Sequence, residues 1–311
     1  SHAAADVIFR TLFTMPIEDE LAAQVYEAFR AYQRSQPILN LAAFLPLPRW
    51  LPRFHRRDTK ANARRIRSLI GRLTADRAGL IEAGNAPDDL ATKIMTTADP
   101  ETGKKFSTQE MVDQVAIFFL AGHETSASAL AWSVYLLATH PEVQTRVVAE
   151  ATAFLADPTF ANLSALTFTR DVFREALRLY PPVPMMVRTA KCPQTFRDRT
   201  VRKGAQIVLS PWHLHRHERL WENPDGFDPG RWTTEAGRKC ARDAFLPFSS
   251  GARVCPGAGF AMLEGPLLLA HLVSAYRLSQ AAVDSPIPVA HLTVRAQNGI
   301  HVRFEKRVPT T

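Results

Sequence analysis

Residues 248–257 read Phe248-Ser249-Ser250-Gly251-Ala252-Arg253-Val254-Cys255-Pro256-Gly257, and the rest of the chain is read from this stretch. Gly251, Gly257 and Gly259, with Pro256, build a turn around one cysteine, and the apolar segment 260–278 that follows predicts a helix. Such a turn holds one sulfur still. Backbone N–H groups from the glycine turn and the first helical turn are expected to face the sulfur, and the positive helix end favours its anion. That lowers the cysteine pKa and makes a soft anionic ligand. A single sulfur cannot complete a four-ligand zinc site, but it suffices as the axial ligand of a haem iron.

The spacing Phe-x-x-Gly-x-Arg-x-Cys-x-Gly resembles the haem-binding signature of the cytochrome P450 family. The resemblance implies haem b held by an axial thiolate from Cys255. It also implies that Phe248 packs beside the sulfur, that Arg253 binds a haem propionate, and that Gly251 and Gly257 shape the loop. The fold it implies is mainly α with small β-sheets, P450-like and incomplete at the N-terminus, because the motifs fall where the C-terminal two-thirds of a family member would carry them. A single domain over residues 1–311 is expected, helical over 1–180 and of mixed strand, loop and haem-binding character over 181–311.

With 311 residues, 46% of them apolar, the chain can bury a substantial core. Cys192, Cys240 and Cys255 are too few and too scattered for a disulfide framework, which suits a reducing compartment. The longest apolar run, around 115–138, is interrupted by His123-Glu124, and no signal peptide is visible. The expectation is a soluble, cytoplasmic protein; the membrane anchor that some family members carry would lie upstream of Ser1. The net charge of +8 is concentrated between Arg49 and Arg77, where ten Lys and Arg face only Asp58 and Asp76. A helix with one basic face there suits an acidic partner or a membrane surface. No nucleic-acid motif accompanies it.

Two helices are predicted over 3–13 and 17–33, followed by a proline-broken apolar segment, 37–54, that cannot be one helix and is expected as a covering loop. Ser107 and Glu110 form a capping box that opens the longest helix, about 30 residues to His140. In its middle lies Ala121-Gly122-His123-Glu124-Thr125-Ser126. Polar residues and a glycine inside an apolar helix are costly unless they have work to do. Gly122 admits a close neighbour, while Glu124 and Thr125 can carry protons. The hexad matches the family's distal-helix motif. By that resemblance Ala121 and Gly122 face the haem, and Glu124 with Thr125 delivers protons to bound dioxygen.

Further along, Glu175 and Arg178 share one helix face, and the family match joins them to Arg231 as a buried structural brace. Short β-type runs follow over 185–209, and Arg188 falls where the family places a second propionate-binding arginine. His213, His215 and His217 recur at period two, but they are read as packing or surface groups and not as metal ligands. Arg238, Lys239 and Arg242 precede the cysteine loop, on the side where the family receives an electron donor. Residues 292–294 and 299–304 are expected to form a closing hairpin.

The implied function is insertion of one oxygen atom from O2 into a small apolar substrate. Electrons would come from an external donor, a ferredoxin, flavodoxin or reductase, since the chain carries no flavin or iron–sulfur motif. The alternatives are a peroxygenase that uses peroxide directly and a haem-free, inactive fragment that serves as a scaffold.

Overall fold

The computed structural model describes residues 2–35, 57–281, 284–291 and 293–308. The apolar segment 37–54 therefore lies outside the described residues. Backbone contacts divide the chain into two compact units, the first holding residues 1–38 and 47–127, the second 39–46 and 128–311.

In the first unit, α1 (His2–Phe13) buries Ala4, Ala5, Ile8, Phe9, Leu12 and Phe13, an apolar stripe at helical spacing. α2 (Glu20–Ser35) starts later than expected, because the Asp19 carboxylate accepts the amides of Leu21 and Ala22 and so caps it. α3 (Arg57–Glu82) buries Ile66, Leu69, Ile70 and Leu73. α4 (Leu90–Thr96) is capped by Asp89, which also takes an ion pair from Arg77 at 2.7 Å. Both side chains of that pair are about 5% exposed or less, and Arg77 also donates to the Phe13 carbonyl at 2.8 Å. The pair therefore ties α1, α3 and α4 with its polar atoms satisfied. α5 (Thr108–Thr139) opens with the expected capping box: the Ser107 amide donates to Glu110 at 2.8 Å, and the Glu110 amide donates back to the Ser107 hydroxyl at 3.3 Å. Phe119 of α5 packs between Phe9 and Phe29, with centroids at 4.6 and 4.7 Å.

The second unit begins in the later turns of α5. Its core is α6 (Pro141–Leu155), α7 (Thr167–Leu179) and α10 (Ala258–Ala275), which bring together Val147, Ala151, Val172, Phe173, Leu269 and Val273. Among the described residues, four two-stranded antiparallel sheets accompany it. β1 (Met186–Thr189) pairs with β4 (Gln206–Leu209), and β2 (Gln194–Phe196) with β3 (Arg199–Val201), as the short β-type runs predicted. Between β4 and α10 come α8 (Pro211–Leu214), a 3-10 turn at 229–233 and α9 (Glu235–Ala244).

The closing hairpin is corrected. β7 (Val294–Ala296) pairs with β6 (Pro288–Ala290), and β8 (Val302–Lys306) pairs with β5 (Tyr276–Gln280). β5 runs straight out of α10 and offers a free edge, so the last strand returns to it and the 288–296 hairpin is nested inside. The turn at Gly299, φ 82°, thus joins two different sheets.

Among the described residues, α10 is long and apolar enough to cross a membrane by length and composition. Here Leu269, Ala270 and Val273 are fully buried against protein. It carries Gly265 at its closest approach to α7: a Cβ there would lie 2.4–2.6 Å from three ring atoms of Phe173, itself 1% exposed. Gly265→Ala would normally stabilise a helix by about 1 kcal/mol. Overpacking reverses the sign, and a net loss of roughly 1–3 kcal/mol is expected in urea unfolding. A variant as stable as the parent would show that Phe173 yields.

Candidate functional site

The cysteine loop belongs to the second unit. Ser249 and Gly251 adopt positive φ, 63° and 67°, the left-handed backbone that glycine takes without strain. The Val254 amide then closes on the Gly251 carbonyl at 3.0 Å, and the Cys255 amide donates to the Phe248 carbonyl at 2.8 Å. Ala258 donates to the Cys255 carbonyl at 3.3 Å and begins α10. The sulfur therefore sits at the N-terminal end of an 18-residue helix, where backbone donors and the helix dipole favour an anion. A Cβ on Gly257 would lie 3.8 Å from Sγ, an ordinary contact, so the sulfur lies beside the Gly257 backbone. Cys255 is exposed, together with 250–254.

Two arginines flank the loop. Arg188, half-buried on β1, donates to the Ser249 hydroxyl at 3.0 Å. Arg253 is exposed and makes no hydrogen bond or ion pair among the described residues. Phe248 is half-buried and packs against the α6–α7–α10 core. Among the described residues no group of three His, Cys, Asp or Glu is placed to hold a metal ion. A lone accessible sulfur at a helix N-terminus, beside one free cation and one half-buried cation, is a donor set that fits a metal arriving inside its own anionic macrocycle, as haem does.

A buried charge cluster braces α7 against the 215–231 segment that leads toward the loop. Glu175 and Arg178 on α7 are fully buried and pair at 2.8 Å, and Arg231 Nε reaches the same Glu175 oxygen at 2.8 Å. Two cations against one anion leave an excess positive charge, which backbone oxygens absorb. Arg178 donates to the carbonyls of His215, Pro224 and Gly226, and Arg231 to those of Glu222, Asn223 and Gly226. The Asp228 amide also donates to Glu175 at 3.2 Å. Every polar atom thus has a use, which a buried ion cluster requires.

The three histidines do not converge. Pro211 starts a helical turn at α8, so period two does not align them as it would on a strand. His213 and His217 are exposed. His215 is fully buried: its Nδ1 faces the Arg178 carbonyl at 3.3 Å, and Nε2 accepts the Leu246 amide at 2.9 Å. It therefore clips α7 to the start of the cysteine loop. Burial, with the positive Arg178 and Arg216 nearby, pushes its pKa down to about 4.

The imidazole is therefore neutral in the folded protein, and protonation favours the unfolded chain between about pH 6.5 and the folded value. Stability should be level above about pH 7, fall by up to about 3 kcal/mol as the pH drops toward about 4, and level off below. Urea midpoints measured across that range should show the slope, and His215→Gln should flatten it. An unchanged slope in the variant would assign the acid sensitivity elsewhere.

The hexad of α5 lies in the first unit. Successive residues on a helix point about 100° apart, and the structure separates the expected acid–threonine pair accordingly. Glu124 is buried and accepts a hydrogen bond from Gln33 Nε2 of α2. Thr125 is half-buried and returns its hydroxyl to the Ala121 carbonyl at 2.6 Å. Ile117, Ala121 and Thr125, four residues apart, lie on one stripe, with Ile117 59% exposed and Ala121 exposed. The close approach expected at Gly122 is made by Ile8 of α1, whose Cδ1 would lie 2.6 Å from a Cβ there. His123 stacks on Phe119 at 4.8 Å and is core.

A fold of this kind, with a single cysteine in a glycine turn at a helix start, is matched by the family profile described as Cytochrome P450 over residues 1–304. The chain belongs to that family. Membership implies a haem cofactor. Among relatives, the chain is 36% identical over 279 residues to cyclooctat-9-en-7-ol 5-monooxygenase of Streptomyces melanosporofaciens, covering 88% of this chain and 59% of that protein. It is 39% identical over 217 residues to cytochrome P450 4A7 of Oryctolagus cuniculus, covering 68% and 42%. The chain thus spans less than two thirds of these relatives' length. A crystal structure of a mutant cytochrome P450DA heme domain matches with a TM-score of 0.83 and 28% identity, covering 98% of this chain and 66% of that one.

Two contributions escaped sequence reasoning. The His215–Leu246 clip spans 31 residues and has no local signature. Glu150 of α6 caps α7 from outside by accepting the amides of Phe168 and Thr169 at 2.8 and 2.7 Å. A Ser/Thr-rich helix start lacking its own acidic residue, Thr167-Phe168-Thr169, was the signal for such a remote cap.

Proposed function

We propose that the protein is a haem-dependent monooxygenase that inserts one oxygen atom from O2 into a small apolar substrate, with electrons from an external donor protein. The observation that carries this reading is the Cys255 sulfur, accessible at the N-terminus of α10 and flanked by Arg188 and Arg253. Cys255 would supply the thiolate that holds the haem iron, Arg253 and Arg188 would pair with the propionates, and Phe248, Gly251 and Gly257 would hold the loop. Haem, when bound, supplies the oxygen-activating and electron-accepting chemistry.

The chain's own groups then divide the remaining work. Cys255 presents its sulfur at the N-terminal end of α10, held there by the hydrogen bond from the Cys255 amide to the Phe248 carbonyl. Thr125, on the outer stripe of α5, presents a hydroxyl that can hold or pass a proton at Oγ1. Glu124, turned inward to Gln33, fixes the helix on which Thr125 sits. Ala121 keeps that stripe low, Ile117 gives it an apolar wall, and Gly122 lets α5 approach Ile8 of α1. On the second unit, Met185 and Val187 are exposed apolar residues suited to an apolar substrate. Exposed Arg238, Lys239 and Arg242 on α9 suit an acidic electron donor.

The deciding experiment is an absorption spectrum of the purified chain, reconstituted with haem, reduced and exposed to carbon monoxide. A strongly red-shifted Soret band is expected. A chain that takes up no haem would favour the inert-scaffold reading, and oxidation of substrate driven by peroxide but not by O2 and electrons would favour a peroxygenase.

A further inference from the structure

A concentration of positive charge is displayed on the outer face of α3. Arg57, Lys60, Arg64, Arg65, Arg67 and Arg72 are all exposed, while Ile66, Leu69, Ile70 and Leu73 are buried. At 3.6 residues per turn, the six cations fall within an arc of about 160° directly opposite the buried stripe, along roughly 22 Å of helix. Arg67 pairs with Asp113 at 2.7 Å; the other five make no ion pair or hydrogen bond among the described residues. Between them the arc holds only small residues, Ala61, Ser68 and Gly71, and Asp58 sits at its margin. Five unneutralised cations in one row repel one another, and a surface of opposite charge relieves that.

We infer that this face docks on an anionic lipid bilayer. A specific protein partner would be expected to meet large apolar or aromatic anchors, and the arc has none. A row of long cationic side chains separated by small residues suits a flat surface of many equivalent anions. The sequence just upstream, with Leu47, Trp50, Leu51 and Phe54 interspersed with Arg49 and Arg53, has the composition of an interfacial segment, although the inference rests on α3 alone. It is independent of haem.

The test is co-sedimentation of the full 311-residue chain with vesicles of phosphatidylcholine, with and without phosphatidylserine. Binding is expected only with phosphatidylserine and should be lost as salt rises. Arg64→Gln, Arg65→Gln and Arg72→Gln together should weaken it about a hundredfold. The matched triple on α9, Arg238→Gln, Lys239→Gln and Arg242→Gln, should leave it intact. All six side chains are exposed, so both variants should keep the parent melting profile. Equal partition onto neutral vesicles, an undiminished α3 variant, or capture by polyglutamate or duplex DNA with no binding to vesicles would each overturn the inference.

Discussion

A Cys255→Ala protein, reconstituted with haem, reduced and exposed to carbon monoxide, is expected to lose the red-shifted thiolate band completely, while without haem it should melt within about 0.5 kcal/mol of the haem-free parent. The two halves of that expectation have different sources. The band requires an anionic sulfur on the iron, and Cys255 is the cysteine placed at a helix start. Its stability is nearly unaffected because the side chain is exposed and contributes no core contact. Cys192 and Cys240 provide the controls. Cys192 is exposed and receives a hydrogen bond from Gln194 at 3.0 Å, while Cys240 donates to the Leu220 carbonyl at 2.6 Å, so alanine at either should leave the band intact. A band that survives in Cys255→Ala would assign the ligand to another residue and remove the basis of the proposed function.

The second large effect is on stability. Glu175→Ala should cost about 3–5 kcal/mol, read from urea unfolding at neutral pH, because it leaves Arg178 and Arg231 buried and facing each other without their anion. Arg231→Met should also destabilise, since it removes one of the two cations that Glu175 holds. Combined with Glu175→Ala it should cost less than the sum, because the second change relieves the repulsion left by the first. A loss under about 1 kcal/mol for Glu175→Ala would mean that water reaches the cluster and that the backbone carbonyls alone carry the arginines.

The parts of the fold and the site that were legible in the sequence are the local ones. The glycine turn around Cys255 is written in ten consecutive residues, and the Ser107–Glu110 capping box in four. The strands at 186–189 and 206–209 follow from their β-branched and apolar content. The brace of Glu175, Arg178 and Arg231 was legible only through family resemblance, since 56 residues separate Glu175 from Arg231.

What could not be read depends on partners far along the chain or on the direction of a side chain. Residues 294–296 and 302–306 both have strand composition, but which edge each meets is decided by β5 leaving α10. Glu124 and Thr125 are neighbours in sequence and point to different surroundings, because Gln33 on another helix supplies the partner of the acid. His215 shows the same limit, since its role is set by Arg178 and Leu246 on either side.

The amide of Gln144 also bears on how the chain is made. Its nitrogen donates to the carbonyls of Leu137 and Leu278, both at 2.9 Å, and its oxygen accepts the Leu278 amide at 2.9 Å. It is buried, and two of these three bonds wait for a residue 134 positions later. A growing chain emerging from the ribosome therefore carries α6 with that amide still hydrated until Leu278 has left the exit tunnel. Closure of the second unit depends on contacts of high sequence separation, and the apolar faces of α6 and α7 stay uncovered until those contacts form.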